Sequence, residues 1–204
     1  MKKSSGKPGN TLRIIAGKWR SRKLDFPDVE GLRPTADRVR ETLFNWLQEA
    51  IAREDCLDLF AGSGACGIEA LSRGARHVTF VDSSAAAIKA IRANLDMLQA
   101  EGHELVCEDS LRWLQSCAQS RDKCPHSYGL VFIDPPFATG LLARSALALE
   151  QSGQLREDAL IYLEWGSDIP AVGLPANWQM LKSKRAGAVY FCLYQRQGAN
   201  VSTP

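Results

Sequence analysis

The stretch Cys56–Gly74, CLDLFAGSGACGIEALSRG, decides the fold. CLDLF is a short apolar run of strand type, and GSGACGIEALSRG opens on glycines and runs into a helical pattern that closes at Gly74. Gly62, Gly64 and Gly67 fit the spacing GxGxxG. HVTFVD follows as a second strand and ends on Asp82, 20 residues after Gly62. In a strand–loop–helix unit such glycines let the backbone turn tightly and approach a ligand, and an acid at the next strand end can take two ribose hydroxyls. The pattern suits NAD(P), FAD and S-adenosylmethionine (SAM) equally. A plain helix-starting turn with packing glycines would also use it. No Gly-Lys-Ser/Thr follows, which excludes a P-loop.

Strand and helix patterns continue to alternate beyond this unit. Residues 84–100 read as a helix with Ile88, Ile91, Leu95 and Leu98 on one face. HELVCED is a third strand, SLRWLQSCAQS a helix, GLVFID a fourth strand, 140–152 a helix and ALIYLEW a fifth strand. WQMLKSK and AVYFCLYQ form a hairpin around Arg185-Ala186-Gly187. This order predicts an α/β fold with a doubly wound, mostly parallel, seven-stranded sheet that ends in an antiparallel C-terminal hairpin. Upstream, LRIIAGKWRSRKL reads as a basic N-terminal β-hairpin turning at Ala16-Gly17-Lys18. Pro27 to Pro34 is a loop, and Thr35 is positioned to cap a helix ADRVRETLFNWLQEAI. Arg38 and Arg40 fall in its first turns, where cations oppose the helix dipole, so another reason must keep them.

In such a fold ligands bind beyond the carboxyl ends of the strands. Asp82, Asp109 and Asp134 end three of them. Any one acid there is commonly a turn or cap residue, whereas three in register favour a site. Asp134-Pro135-Pro136-Phe137 leaves the fourth strand directly. The prolines remove two donors and stiffen the exit, leaving carbonyls to accept. Asp134 accepts when ionised, and Phe137 offers a face on which a base can stack. That set suits an exocyclic NH2 group held edge-on. A rigid strand exit with a core Phe is the plainer reading of the same residues.

Taken in order, FAGSG, Asp82, EDS at 108–110 and DPPF resemble the motifs of class I SAM-dependent methyltransferases, with DPPF in the amino-methyltransferase form. RIIAGKWRSRKL, GLRPTADRVRETLFNWL, CLDLFAGSGACGIEALSRGA and VFIDPPF together resemble the RsmD family of bacterial 16S rRNA guanine-N2 methyltransferases, from about Leu12 to Gln195. The resemblance implies a Rossmann-like class I methyltransferase using SAM and releasing S-adenosylhomocysteine. It places the cofactor on Asp58, Phe60, Gly62, Ser63, Gly64, Asp82, Ser83, Asp109 and Ser110, with the ribose on Asp82 and the adenine near Asp109 and Ser110. It gives catalysis to Asp134, Pro135 and Phe137. Pro136, Phe137 and Arg38 would face the base, and Arg33 and Arg40 are less clearly assigned. No metal is required. Competing activities for the same motifs are amino methylation of adenine N6 or glutamine, an NAD(P)-dependent oxidoreductase, and a non-catalytic RNA-binding assembly factor.

Composition adds a partner. The chain has 204 residues with 45% apolar and 24% charged, as in ordinary globular domains, and no run of about 18 apolar residues to cross a membrane. The net charge of +2 hides a segregation: residues 1–40 hold 11 Lys/Arg against four acids, leaving the remainder at −5. A basic arm on an acidic body suits a polyanion. Lys18, Trp19, Arg20 and Arg22, with Lys23, are the candidate RNA contacts, although edge strands also carry cations as protection against aggregation. The domain expectation is a flexible basic arm at 1–10, the basic hairpin at 11–26, the methyltransferase domain at 27–196 and a flexible tail at 197–204. The expected partner is 16S rRNA, within a small ribosomal subunit or its assembly intermediate, met by a monomer. Six cysteines without a CxxC pair do not make a disulfide scaffold, and with no apolar signal segment after the basic N-terminus a reduced, cytoplasmic setting fits. Histidines 77, 103 and 126 have no cysteine at metal-ligand spacing.

Overall fold

The computed structural model describes residues 10–26, 37–120, 124–136, 140–166 and 173–198. Fourteen elements follow in the order β1 (Asn10–Arg13), β2 (Lys23–Phe26), α1 (Asp37–Trp46), β3 (Asp55–Asp58), α2 (Ala65–Ser72), β4 (His77–Asp82), α3 (Ala85–Leu98), β5 (His103–Cys107), α4 (Ser110–Gln119), β6 (Tyr128–Ile133), α5 (Leu141–Gln151), β7 (Leu155–Gly166), β8 (Trp178–Ala186) and β9 (Val189–Arg196). Seven strands make one sheet in the order β5-β4-β3-β6-β7-β9-β8. The pairs from β5 to β7 are parallel and β9 is antiparallel to both neighbours. The strand order reverses between β3 and β6, which puts the ligand crevice at their carboxyl ends.

Alternation along the strands sends side chains to two separate cores. Cys56, Val78, Phe80, Leu130, Phe132 and Tyr162 pack under α1, α2, α3 and the β1–β2 hairpin. Leu57, Val81, Val131, Ile133, Ile161 and Leu163 pack under α4 and α5. Strands β3 and β6 are buried along their whole length because helices cover both faces of a parallel sheet, and β6 is an apolar run.

Several local expectations change. The N-terminal hairpin is present, with Asn10 opposite Phe26 and Arg13 opposite Lys23, but its strands are four residues each and the connection runs from Ile14 to Arg22. Ile14 N–H donates to Arg22 C=O at 2.9 Å, and the tight turns lie just beyond the expected place, with Arg20 N–H donating to Gly17 C=O at 3.2 Å and Arg22 N–H to Trp19 C=O at 3.0 Å. α1 ends at Trp46 rather than Ile51, although Leu47 and Ile51 stay buried in the turns that follow. Asn10 belongs to β1 rather than to an arm. Gln197 is tied to the sheet by its N–H on Asn177 C=O at 2.7 Å, so the tail does not begin there. Cys117 of α4 and Cys124 are joined as a disulfide, correcting the expectation of reduced thiols, while Cys56, Cys66, Cys107 and Cys192 are free. The arm at 1–9, the loop at 27–34 with Arg33, the cap Thr35, Phe137 and the tail at 199–204 lie outside the described residues.

Candidate active site

The glycine loop joins β3 to α2 at the centre of the sheet. Gly64 is the residue before α2 and has φ 75°. Gly67 sits where the helix crosses β4 closely: a Cβ there would meet the Phe80 ring at 2.2 Å. Asp82 ends β4 beside this loop and accepts from Gly62 N–H at 2.8 Å and Ser84 N–H at 2.7 Å. One carboxylate therefore fixes both the loop and the start of α3. Each of its oxygens keeps further acceptor capacity for hydroxyl donors. Phe60 and Gly62 are half-buried, Ser83 is exposed and Ser63 is buried. The loop, the half-open Asp82 and the crevice at the strand-order reversal fit a nucleoside with a ribose diol.

Asp58 ends β3 and is buried, accepting from Gly67 N–H at 2.9 Å. Burial pushes its carboxyl up to about 7, and the nearby Asp82 charge adds to this against the Gly67 hydrogen bond. Its place is below the loop, which it braces. Asp109 is exposed and caps α4, accepting from Arg112 N–H at 3.0 Å. Ser110 is buried, and its hydroxyl donates to Leu59 C=O at 2.6 Å, linking the exit of β3 to the start of α4. Ser110 is thus a strut between elements, leaving Asp109 as the accessible member of that pair.

Asp134 is half-buried, Pro135 buried and Pro136 exposed where β6 leaves the sheet. β6 runs directly beside β3, with Asp58 opposite Phe132. The DPP exit and the glycine loop therefore share one rim. A further acid stands beside Asp134 that the sequence reading passed over. Ile133, the last residue of β6, pairs with Leu163, so Asp134 at the strand exit follows beside Glu164 of β7. Glu164 is 5% exposed and its carboxylate accepts from the Tyr162 hydroxyl at 2.6 Å. Burial raises the Glu164 carboxyl, while the Tyr162 hydrogen bond opposes the shift. The free thiol of Cys66 lies beneath and is driven well up by burial, then by the charges of Asp58 and Asp134. ALIYLE carried the available signal, an apolar strand ending on an acid, as in HVTFVD and GLVFID.

Toward the N-terminus, Lys18, Arg20, Arg22, Lys23 and Arg38 are exposed. Trp19 is 8% exposed within the core, which corrects its placement among base-stacking residues. Arg40 is fully buried and donates to Arg13 C=O at 3.0 Å and Asp37 at 2.6 Å, which explains a cation in that first turn. At the amino ends of β4, β5 and β6, His77, Glu104 and His126 bring ligand atoms within 4.8 Å of one another. The two imidazoles are stacked at 4.0 Å with planes 16° apart.

Comparison with known proteins places this arrangement. The profile of the family described as conserved hypothetical protein 95 matches residues 12–195. Ribosomal RNA small subunit methyltransferase D of Escherichia coli K12 is 44% identical over 202 residues, covering 99% of this chain and 98% of that protein. The protein of the same name from Haemophilus influenzae is 45% identical over 186 residues, covering 90% and 93%. The solved structure of yhhF from Escherichia coli, a provisionally named methyltransferase, superposes with a TM-score of 0.83 at 41% identity, covering 93% of this chain and 99% of that one.

Proposed function

This chain belongs to the family of the ribosomal RNA small subunit methyltransferase D proteins, and from that premise we propose its reaction: transfer of the SAM methyl group to the exocyclic N2 amine of one guanine in 16S rRNA. The observation that carries the choice of an amine is the Asp134-Pro135 exit of β6 beside the glycine-loop strand β3. An acceptor pair there suits an NH2 donor held edge-on.

Asp82 takes the ribose hydroxyls of the cofactor, the Phe60–Gly64 loop runs along it, and Asp109 stands near the adenine. SAM supplies a methyl group already activated on a sulfonium, so the protein contributes position and electrostatics. The guanine leaves its stack to reach the rim. Asp134 and the Pro135 carbonyl accept from the N2 amine. These bonds orient the nitrogen and oppose delocalisation of its lone pair into the ring, favouring in-line attack on the methyl carbon. Phe137 stacks on the base and Pro136 borders it. Arg38 lies on the base side, and Lys18, Arg20 and Arg22 hold RNA phosphates. The substrate is the small subunit or its assembly intermediate, met by a monomer in the cytoplasm. One chain of this size, whose excess of cations lies in its first 40 residues, gains from ribosomal proteins as an added recognition surface.

The decisive measurement is nucleoside analysis of small-subunit RNA from a strain lacking the gene. One N2-methylguanosine disappears and returns when purified protein and SAM are added to the isolated subunits. Unchanged N2-methylguanosine would refute the assignment. Asp134→Ala lowers kcat by about a hundredfold or more in the same assay, since it removes an acceptor aimed at the reacting group. Comparing turnover on naked rRNA and on assembled subunits tests the substrate form, and faster turnover on naked rRNA would refute the subunit.

A further inference from the structure

The geometry points to a second acceptor for the target base: Glu164, held by Tyr162, takes the N1–H of the guanine whose N2 amine Asp134 takes. The inference rests on the guanine-N2 reading and adds how that base is told from others.

The placement comes from the sheet. Phe132 and Tyr162 are register partners, as are Ile133 and Leu163. Phe132 and Tyr162 both face the core beneath α1 and α2. Extended one residue past the last pair, the alternation turns Asp134, at the exit of β6, and Glu164, within β7, toward that same face, and burial and then both acids push up the Cys66 thiol there. Glu164 is 5% exposed, and among the described residues its carboxylate takes one side-chain hydrogen bond, from Tyr162 at 2.6 Å. Burying a carboxylate with so few partners is costly unless a ligand completes its bonding. Arg40, also fully buried, lies within electrostatic reach of the same Cys66 thiol and offsets the acids.

The chemistry of the base supplies the match. Guanine presents N1–H and the N2 amine side by side, two donors in one edge. Two neighbouring acceptors fit that edge. In adenine the ring nitrogen beside the amine is an acceptor, so the second carboxylate would face a lone pair and both groups would lose hydrogen bonds. Asp134 alone reads only an amine, whereas Asp134 with Glu164 reads guanine. Tyr162 acts through Glu164 as a positioning residue.

The test uses small-subunit RNA carrying guanine or 2-aminopurine at the methylated position. 2-Aminopurine keeps the amine and lacks N1–H. Methyl transfer is measured for the full-length wild type, Glu164→Ala, Glu164→Gln and Tyr162→Phe. The wild type prefers guanine. In Glu164→Ala the ratio of kcat/KM for guanine over 2-aminopurine falls by about tenfold or more. Glu164→Gln, which keeps a carbonyl acceptor, retains most of the preference, and Tyr162→Phe lowers it partly. If the alanine variant fails to fold, the ratio in Tyr162→Phe decides. A merely structural Glu164 slows both substrates equally and leaves the ratio unchanged, which would overturn the inference. Wild-type protein that adds no methyl to guanine N2 would overturn the underlying reading instead.

Discussion

Asp58 and Asp82 end neighbouring strands of the same motif, yet only Asp82 is partly open to solvent. Asp82 can therefore take hydroxyl donors, whereas Asp58 is held by burial at a carboxyl value of about 7. Folding raises the Asp58 value above its ordinary one of about 4. Between about pH 4 and pH 7 the folded chain keeps a proton that the unfolded chain releases, so this group makes stability fall as pH rises through that window. The slope approaches about 1.4 kcal/mol per pH unit and levels off above pH 7. Asn at this position keeps an acceptor for Gly67 N–H without titrating. Urea midpoints from pH 4 to 8 should show that slope in the wild type and its loss in Asp58→Asn; parallel profiles would mean that Asp58 is ionised throughout. At this scale the Asp134-Pro135-Pro136 strand exit, Asp82 and the glycine spacing were legible because each is local. Glu164 was not, because its meaning comes from lying beside Asp134 in another strand.

Elements show the same division. The apolar runs and their order were enough for the sheet, since two-faced burial leaves a continuous signature in the chain. The N-terminal hairpin was legible as two β-prone runs, but its turn was not, because the connection is shaped by α2. Ile15 and Ala16 donate backbone N–H groups to Glu69 at 2.8 and 3.0 Å. The Ser72 hydroxyl donates to Ala16 C=O at 2.6 Å, Trp19 N–H donates to that hydroxyl at 3.1 Å, and Lys18 N–H donates to Ser72 C=O at 2.7 Å. Gly17 passes closest, with φ 83°, and a Cβ on it would come 1.8 Å from the Ser72 carbonyl oxygen. Gly17→Ala meets backbone it cannot displace and a conformation that alanine resists. It should cost at least about 2 kcal/mol, read as a fall of about 4–8 °C in Tm. An unchanged Tm would mean that the hairpin does not dock on α2 as described.

Across the whole molecule the charge segregation and the fold give one account of how RNA is brought to the rim. Asp82, Asp109 and Asp134 gather at the strand ends, where a polyanion would be repelled. Lys18, Arg20, Arg22 and Lys23 sit on a hairpin anchored to α2, the helix that the glycine loop opens. Exposed Lys18, Arg20 and Arg22 can therefore hold phosphates while the base reaches across to Asp134. Arg40 carries the same formal charge but is buried, so counting cations in the first 40 residues overstates the binding surface. Phosphate contacts release counterions, and each contributes about 0.7–0.9 to the slope of log affinity against log salt. Replacing Lys18, Arg20 and Arg22 together by alanine should lower that slope by about 2–3 and raise KM far more than it lowers kcat. The measurement is binding of small-subunit RNA from about 50 to 200 mM salt, with methyl transfer assayed alongside. An unchanged slope would move RNA capture to another surface, whereas a fall in kcat alone would tie the hairpin to the cofactor loop through α2 rather than to phosphate.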